Sequence, residues 1–198
     1  MKKVRDHYFT KAKREGFAAR AAYKLEAVDG RRKLLRPGMR VLDLGCAPGS
    51  WLQYAGGRVG PSGQVLGVDL QALPAQVAAG LPAWVTARQG DVFALEAASL
   101  PAGFLPCDVL LSDMAPATSG IKSADAARST ALVRRVLALT PALLRPGGAL
   151  LAKVFQGGEM AALRGEFRDM FEQVSVEKPP ASRSESVEVF LLGQGWRG

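Results

Sequence analysis

The chain is predicted to form a single α/β domain around a doubly wound, Rossmann-like sheet that is mostly parallel and has an antiparallel last strand. Short apolar segments alternate with amphipathic or alanine-rich segments, which is typical of parallel strands covered by helices on both faces. With 198 residues, 48% of them hydrophobic, the chain can build one sizeable core but is short for two. The last two strand candidates have no helical segment between them, so they are predicted to be antiparallel to each other.

The elements follow from local periodicity. A helix is predicted over residues 17–29, where Phe17, Ala21, Leu25 and Val28 form one apolar stripe, and Gly30 is expected to end it. Further helices are predicted over 124–144, ended by an Arg-Pro-Gly-Gly turn, and over 159–171. The predicted strands are 40–44, 64–69, 84–89, 108–112, 149–155, 173–177 and 187–192.

Basic residues are concentrated in the N-terminal part of the chain. The first forty residues hold 13 of the 26 Lys and Arg residues but only four of the 18 acidic residues. Such a local excess favours contact with the phosphates of a polyanion, and we expect a basic N-terminal arm over about residues 1–16. A solvated tail is the alternative. Adsorption to a membrane is disfavoured, because the arm lacks the large apolar face that an interfacial helix buries.

The cysteine and histidine content excludes several kinds of site. Cys46 follows one predicted strand and Cys107 precedes another, so they should lie at opposite edges of the sheet, too far apart for a disulfide. With His7 as the only histidine and no Cys-x-x-Cys pair, no metal site is expected. The sequence has no apolar run of membrane-spanning length and no apolar signal segment, so we expect a cytoplasmic protein without a membrane partner.

A loop of small residues, DLGCAPGSW at 43–51, follows the first strand. Gly45, Ala47 and Gly49 would let a cofactor approach the backbone near the start of the next helix. Asp69, at the end of the second strand, could accept both ribose hydroxyls of a nucleoside. This pair fits a dinucleotide or S-adenosylmethionine, and the glycine spacing disfavours the dinucleotide. An ordinary tight turn is the structural alternative.

Three further charged residues are candidates for a site at the same edge of the sheet. Asp91 follows the third strand, next to Val92, where a carboxylate could meet an adenine amino group. Asp113 follows the fourth strand, at the edge where doubly wound sheets bind ligands. Lys153 interrupts an apolar strand, so it either extends to solvent from the strand end or is held in a site that uses it.

Several ordered motifs resemble the FtsJ (RrmJ) family of S-adenosylmethionine-dependent RNA 2′-O-ribose methyltransferases. They extend from about His7 to Gly193, nearly the whole chain. The motifs are RAAYKL at 20–25, DLGCAPGSW at 43–51, SDMAP at 112–116 with SG at 119–120, KVFQG at 153–157, and SR at 182–183 followed by EVF at 188–190. Ala19 and Ala117 stand where relatives often have Ser and Asn, so the resemblance does not extend to these two positions.

The resemblance implies the seven-stranded class I methyltransferase fold and S-adenosyl-L-methionine as cofactor. The implied catalytic residues are Lys24, Asp113, Lys153 and Glu188, with Lys153 as proton acceptor. The implied cofactor-binding residues are Asp43, Gly45, Gly49, Trp51, Asp69, Asp91, Val92 and Asp113.

A ribose 2′-hydroxyl is a poor nucleophile until a base removes its proton. Burial and the nearby Lys24 cation would favour the neutral amine of Lys153, whereas Asp113 and Glu188 would oppose it, so the balance stays open. The resemblance implies an RNA partner, and the substrate we favour is a uridine in the A-loop of large-subunit (23S) ribosomal RNA within the ribosomal particle, methylated by a monomer. Some relatives act on tRNA or mRNA caps. A non-enzymatic RNA-binding module and a nucleotide-dependent oxidoreductase are the alternatives from other classes.

Overall fold

The computed structural model describes residues 3–182 and 186–198, with side chains described from His7 onward. The helices are α1 (Lys3–Arg14), α2 (Ala22–Arg32), α3 (Ser50–Val59), α4 (Ala75–Ala79), α5 (Lys122–Leu143) and α6 (Met160–Met170). The strands are β1 (Arg40–Leu44), β2 (Gln64–Asp69), β3 (Val85–Gln89), β4 (Cys107–Ser112), β5 (Leu144–Phe155), β6 (Phe171–Glu177) and β7 (Glu188–Trp196).

All seven strands form one sheet in the order β3-β2-β1-β4-β5-β7-β6. The first five strands are parallel to one another. β7 runs antiparallel to both β5 and β6. The predicted fold is therefore confirmed, including the antiparallel last strand. This reversal brings the first residue of β7, Glu188, opposite Phe155 at the end of β5.

The two faces of the sheet carry separate apolar cores. On one face, buried residues of α5 and α6 such as Val136 and Phe167 pack against the strands. On the other face, residues of α2 and α3 such as Leu25 and Leu52 do so. Successive β7 side chains alternate between these cores, with Val189 on the α5 and α6 side and Phe190 on the α2 and α3 side.

Several predicted boundaries differ from the structure, and the clearest differences are at α2, at the beginning of β5 and in the N-terminal arm. α2 begins at Ala22, later than predicted, and continues through Gly30. The helix ends at Arg32, and the next residue, Lys33, has a left-handed backbone conformation (φ 53°). α5 passes directly into β5, so the predicted Arg-Pro-Gly-Gly turn forms the irregular beginning of that strand. The N-terminal arm contains a helix, α1, whose Ala12 is buried in a small cluster with Tyr23.

Both cysteines are buried and free. Among the described helices, none combines the length and the apolar character needed to cross a membrane.

Candidate active site

The candidate site lies where the parallel strands end and β7 begins. Asp113 directly follows β4, and Lys153 lies near the end of β5, with Phe190 of β7 as its pairing partner. Because β4 and β5 are adjacent and parallel, residues that follow or end them meet at one edge of the sheet. The topology alone therefore brings together groups that are 40 residues apart in sequence.

Lys153 and Asp113 form a close pair at this edge. The Lys153 ammonium lies 2.9 Å from Oδ1 of Asp113 and also donates a hydrogen bond to the Asp113 main-chain carbonyl. The lysine is only 7% exposed. Lys153 therefore does not extend into solvent: its amine is held against the residue that follows β4.

Lys24 and Glu188 form a second pair next to the first. The Lys24 ammonium is 2.7 Å from Oε1 of Glu188, and the Ser182 hydroxyl donates to the same oxygen at 3.2 Å. Burial alone would raise the pKa of Glu188, but the ammonium groups of Lys24 and Lys153 and the Ser182 hydroxyl lower it below its ordinary value. Glu188 is therefore ionised at neutral pH and fixes the Lys24 ammonium.

A cavity of about 340 Å³ lies beside these pairs, within the size range of small-ligand sites. Its walls include Gly45, Asp69, Asp91, Val92 and Asp113. The sequence predicted all five as cofactor-binding residues, and the structure brings them together.

Two of the cavity carboxylates are held by backbone amides. Asp69 accepts N–H groups of Ala47 at 2.9 Å and Gln71 at 2.8 Å, and Asp91 accepts the N–H of Phe93 at 2.9 Å. A carboxylate has about four acceptor positions, so both side chains retain capacity for ribose hydroxyls or an exocyclic amine. Their orientation is fixed before any ligand binds.

Asp43 is fully buried in β1, beneath the cavity. Among the described residues, neither of its carboxylate oxygens has a hydrogen-bond partner. Burial, followed by repulsion from Asp113 and Asp69, raises its pKa well above the ordinary range. The carboxylates of Asp69, Asp91 and Asp113 in the cavity wall favour a cationic ligand, and a sulfonium cofactor fits that requirement.

The two glycines of the loop are required by packing as well as by backbone conformation. Gly45 and Gly49 have φ values of 85° and 108°, in the region that favours glycine. A Cβ atom at Gly45 would lie 2.3 Å from the Met114 side chain, and one at Gly49 would lie 2.8 Å from Val77. A larger residue at either position would therefore collide with a neighbouring side chain; Gly45 lines the cavity, whereas Gly49 does not.

Trp51 contributes differently from the other predicted residues. Its indole is 2% exposed, donates to the Ala21 carbonyl at 2.8 Å and packs against Phe190, with ring centres 5.7 Å apart. The side chain thus joins α2, α3 and β7. The indole is therefore used for packing, and Trp51 is not among the residues that line the cavity.

Sequence reasoning missed several residues of the cavity. Leu70 and Phe93 line it and are 64% and 55% exposed, and Leu132 of α5 closes one side. Arg135, one turn after Leu132, donates to the carbonyls of Val92 and Leu95, both at 2.9 Å. Leu70 and Phe93 could have been predicted as cavity residues, because they stand next to or near Asp69 and Asp91 in the sequence. Nothing in the sequence indicated that Leu132 of α5 would line the same cavity.

The described part of the chain contains no group of three or more His, Cys, Asp or Glu side chains arranged to hold a metal ion. The charged groups at this edge are the two lysine–carboxylate pairs and the carboxylates of the cavity beside them.

Known proteins closely similar in sequence are methyltransferases. A protein of Syntrophobacter fumaroxidans named ribosomal RNA large subunit methyltransferase E is 51% identical over 195 residues, which cover 98% of this chain and 97% of the relative. A protein of the same name from Sorangium cellulosum is 50% identical over 186 residues, covering 93% of this chain and 85% of the relative.

Solved structures of lower identity share the fold. A Plasmodium falciparum protein described as a candidate ribosomal RNA methyltransferase has a TM-score of 0.77 at 24% identity, covering 92% of this chain and 100% of the other. Aeropyrum pernix fibrillarin, with S-adenosyl-L-methionine bound, has a TM-score of 0.58 at 17% identity, covering 87% and 75%. The FtsJ-like methyltransferase profile matches residues 17–196, and the chain belongs to that family.

Proposed function

We propose that this protein transfers a methyl group from S-adenosyl-L-methionine to a ribose 2′-hydroxyl of RNA. The substrate we propose is a uridine in the A-loop of large-subunit ribosomal RNA, presented within the ribosomal particle in the cytoplasm. Relatives at about half identity that are named for the large ribosomal subunit support the choice of RNA. The excess of basic residues in the first forty positions supports a polyanionic partner.

One observation carries the proposal: the buried Lys153 amine is held by Asp113, and Asp113 also lines the acidic cavity. A base and a cofactor pocket that share a residue can bring a hydroxyl and a methyl donor to the same point. The acidic surroundings suit a cationic donor, and the carboxylates of Asp69 and Asp91 suit the hydroxyls and amine of its adenosine part.

When bound, S-adenosylmethionine supplies a methyl group that its sulfonium charge has already activated. Lys153, as the neutral amine, would accept the proton of the 2′-hydroxyl as the ribose oxygen takes the methyl group; the carbon–sulfur bond would break, and the donor would leave as the neutral thioether S-adenosylhomocysteine. Asp113 would then stabilise the ammonium group formed on Lys153, because its Oδ1 lies 2.9 Å from the lysine nitrogen. The Lys24–Glu188 pair holds a cation beside the same centre, where it can orient the hydroxyl.

The reaction is tested with radiolabelled S-adenosylmethionine and large ribosomal subunits from cells that lack the modification, followed by mapping of the labelled nucleotide. A matched RNA with 2′-deoxyuridine at the mapped position should accept no methyl group, because the acceptor oxygen is absent. Transfer to the deoxy substrate would show methylation of the base and contradict the proposal. Transcripts of tRNA and capped RNA serve as competing substrates.

The assigned base is tested in the same assay. Lys153→Ala should lose about 100-fold or more in single-turnover rate, since general-base catalysis contributes on that order. Its affinity for S-adenosylmethionine, measured by calorimetry, should stay close to that of the parent protein. Near-normal turnover by this variant would make Lys153 a structural residue.

A further inference from the structure

Helix α1 attaches to the rest of the protein along one side. Tyr8 and Ala12 pack against Tyr23 of α2. The Lys11 ammonium lies 4.2 Å from the centre of the Tyr23 ring and 3.8 Å from a carboxylate oxygen of Glu26. Tyr23 immediately precedes Lys24, so these contacts fix α1 to the helix that supplies an active-site cation.

The side of α1 that carries Phe9 faces solvent. The Phe9 side chain is 64% exposed, although the neighbouring Tyr8 is used for packing. Lys13, four residues later on the helix, is also exposed and therefore lies on the same face, one turn from the ring. The next residue, Arg14, has a side chain that is 76% exposed.

A single exposed aromatic residue is common and does not by itself identify a site. The surroundings of Phe9 indicate an anionic partner, because the same exposed side of α1 carries cationic side chains. The helix also lies within the most basic segment of the chain. An aromatic platform flanked by cations is how proteins bind unpaired nucleotides: the base stacks on the ring and the adjacent phosphate pairs with the cation. A membrane would need a wider apolar face than one phenylalanine provides.

We propose that Phe9 and Lys13 form a second RNA contact outside the active site, in which an unpaired base stacks on Phe9 and its phosphate binds Lys13. The contact rests on the proposed RNA substrate and adds to it a requirement for a single-stranded nucleotide other than the methylated one. Through the packing of α1 on Tyr23, this nucleotide is held at a fixed position relative to Lys24.

The test measures binding of a short single-stranded RNA, and of the same sequence as a duplex, over a range of salt concentrations. Phe9→Ala should weaken single-strand binding about 5- to 100-fold, since stacking contributes on that order, and leave the salt slope unchanged. Lys13→Gln should weaken binding and lower the slope by about 0.7. Phe9→Trp should bind as tightly as the parent protein, because it keeps the aromatic surface.

Val176→Ala is the matched control, because it removes an exposed apolar side chain from β6 instead of α1. Unchanged affinity for S-adenosylmethionine in every variant shows that the fold is intact. The proposal is overturned if Phe9→Ala binds the single strand like the parent protein or loses duplex binding equally. It is also overturned if the loss appears only with ribosomal subunits and not with naked RNA, which would identify a protein partner.

The outcome is independent of the methylation assay. Methyl transfer to RNA with no effect of Phe9→Ala on binding rejects the second contact alone. Tight, Phe9-dependent RNA binding without methyl transfer rejects the proposed activity and leaves the contact in place.

Discussion

Individual carboxylates of this site serve different purposes because their surroundings differ. Asp69 and Asp91 accept backbone N–H groups at the cavity wall, and Glu188 is paired with Lys24. Asp43, in contrast, is buried without a partner among the described residues. A buried acid without a partner destabilises the fold, and this cost supports the proposal that Asp43 serves ligand binding.

The buried Asp43 predicts a specific dependence of stability on pH. Because its pKa is raised in the folded state, the folded protein binds the proton more tightly than the unfolded chain does. Stability is therefore lost as the pH rises from the ordinary aspartate pKa of 3.8 towards the raised pKa, by about 1.4 kcal/mol for each pH unit in that interval. Asp43→Asn should raise the midpoint of thermal unfolding more at pH 8 than at pH 4.5.

Asp169→Asn on α6 is the control for Asp43, because that carboxylate is exposed and its replacement should have the same small effect at both pH values. Asp43→Asn should also bind the cationic cofactor more weakly than the parent protein. Equal stabilisation at both pH values would contradict the role assigned to Asp43 burial.

At the scale of elements, the apolar periodicity of the strands predicted a mostly parallel sheet, and the missing helix between the last two strand candidates predicted that they are antiparallel to each other. It could not predict that α2 would continue past Gly30, because that extension is accompanied by long-range contacts: Arg31 and Arg32 both bind Glu177 of β6. The burial of the Trp51 side chain could likewise not be predicted from the local sequence, since its partners are Ala21 and Phe190. Local patterns and the family resemblance predicted the candidate site residues, whereas the packing of the Trp51 side chain away from the cavity depends on long-range contacts.

The reversed direction of β7 makes Glu188 accessible to the active site. Glu188→Ala should lower the single-turnover methylation rate and leave cofactor affinity nearly unchanged, because it removes the partner of Lys24 and not a cavity wall. Glu185→Ala, at a position outside the described residues, should have a smaller effect. A larger loss from Glu185→Ala, with both variants folded and saturated with cofactor, would show that Glu185 is the relevant acid.

Helix α5 is predicted to control cofactor affinity through Arg135, which holds the carbonyls of Val92 and Leu95 in the loop after Asp91. Arg135→Gln should weaken S-adenosylmethionine binding about threefold to tenfold without lowering kcat, because a looser loop must be ordered when the ligand binds. Calorimetry and the separation of KM from kcat measure the effect.

The adjacent Arg134 provides a matched control for Arg135. It binds Glu159 and Glu166 at the α6 side, so Arg134→Gln removes a comparable guanidinium from the same helix turn without touching the cofactor loop. We expect Arg134→Gln to lower the thermal midpoint and leave cofactor affinity unchanged. If both variants weakened cofactor binding equally, general destabilisation of α5 would explain the loss of affinity.

At the scale of the whole molecule, the two faces of the sheet differ in charge and in access to the site. The basic N-terminal segment forms α1 and α2 on one face, from which Lys24 reaches the active-site edge, while α5 and α6 cover the other face. RNA should therefore approach from the α1 and α2 side. Deleting α1 is a poor test of this approach, because the deletion would uncover Tyr23 as well as remove charge.

Replacing charges without removing the helix separates these effects. The double variant Lys13→Gln with Arg14→Gln should lower the slope of log affinity against log salt by about 1.4, since each lost phosphate contact contributes about 0.7 with single strands. Arg164→Gln with Arg168→Gln, on α6, removes the same charge from the opposite face and should leave the slope nearly unchanged. An equal decrease in both double variants would show that RNA binding responds to net charge and not to the α1 face, whereas cofactor affinity should be constant throughout.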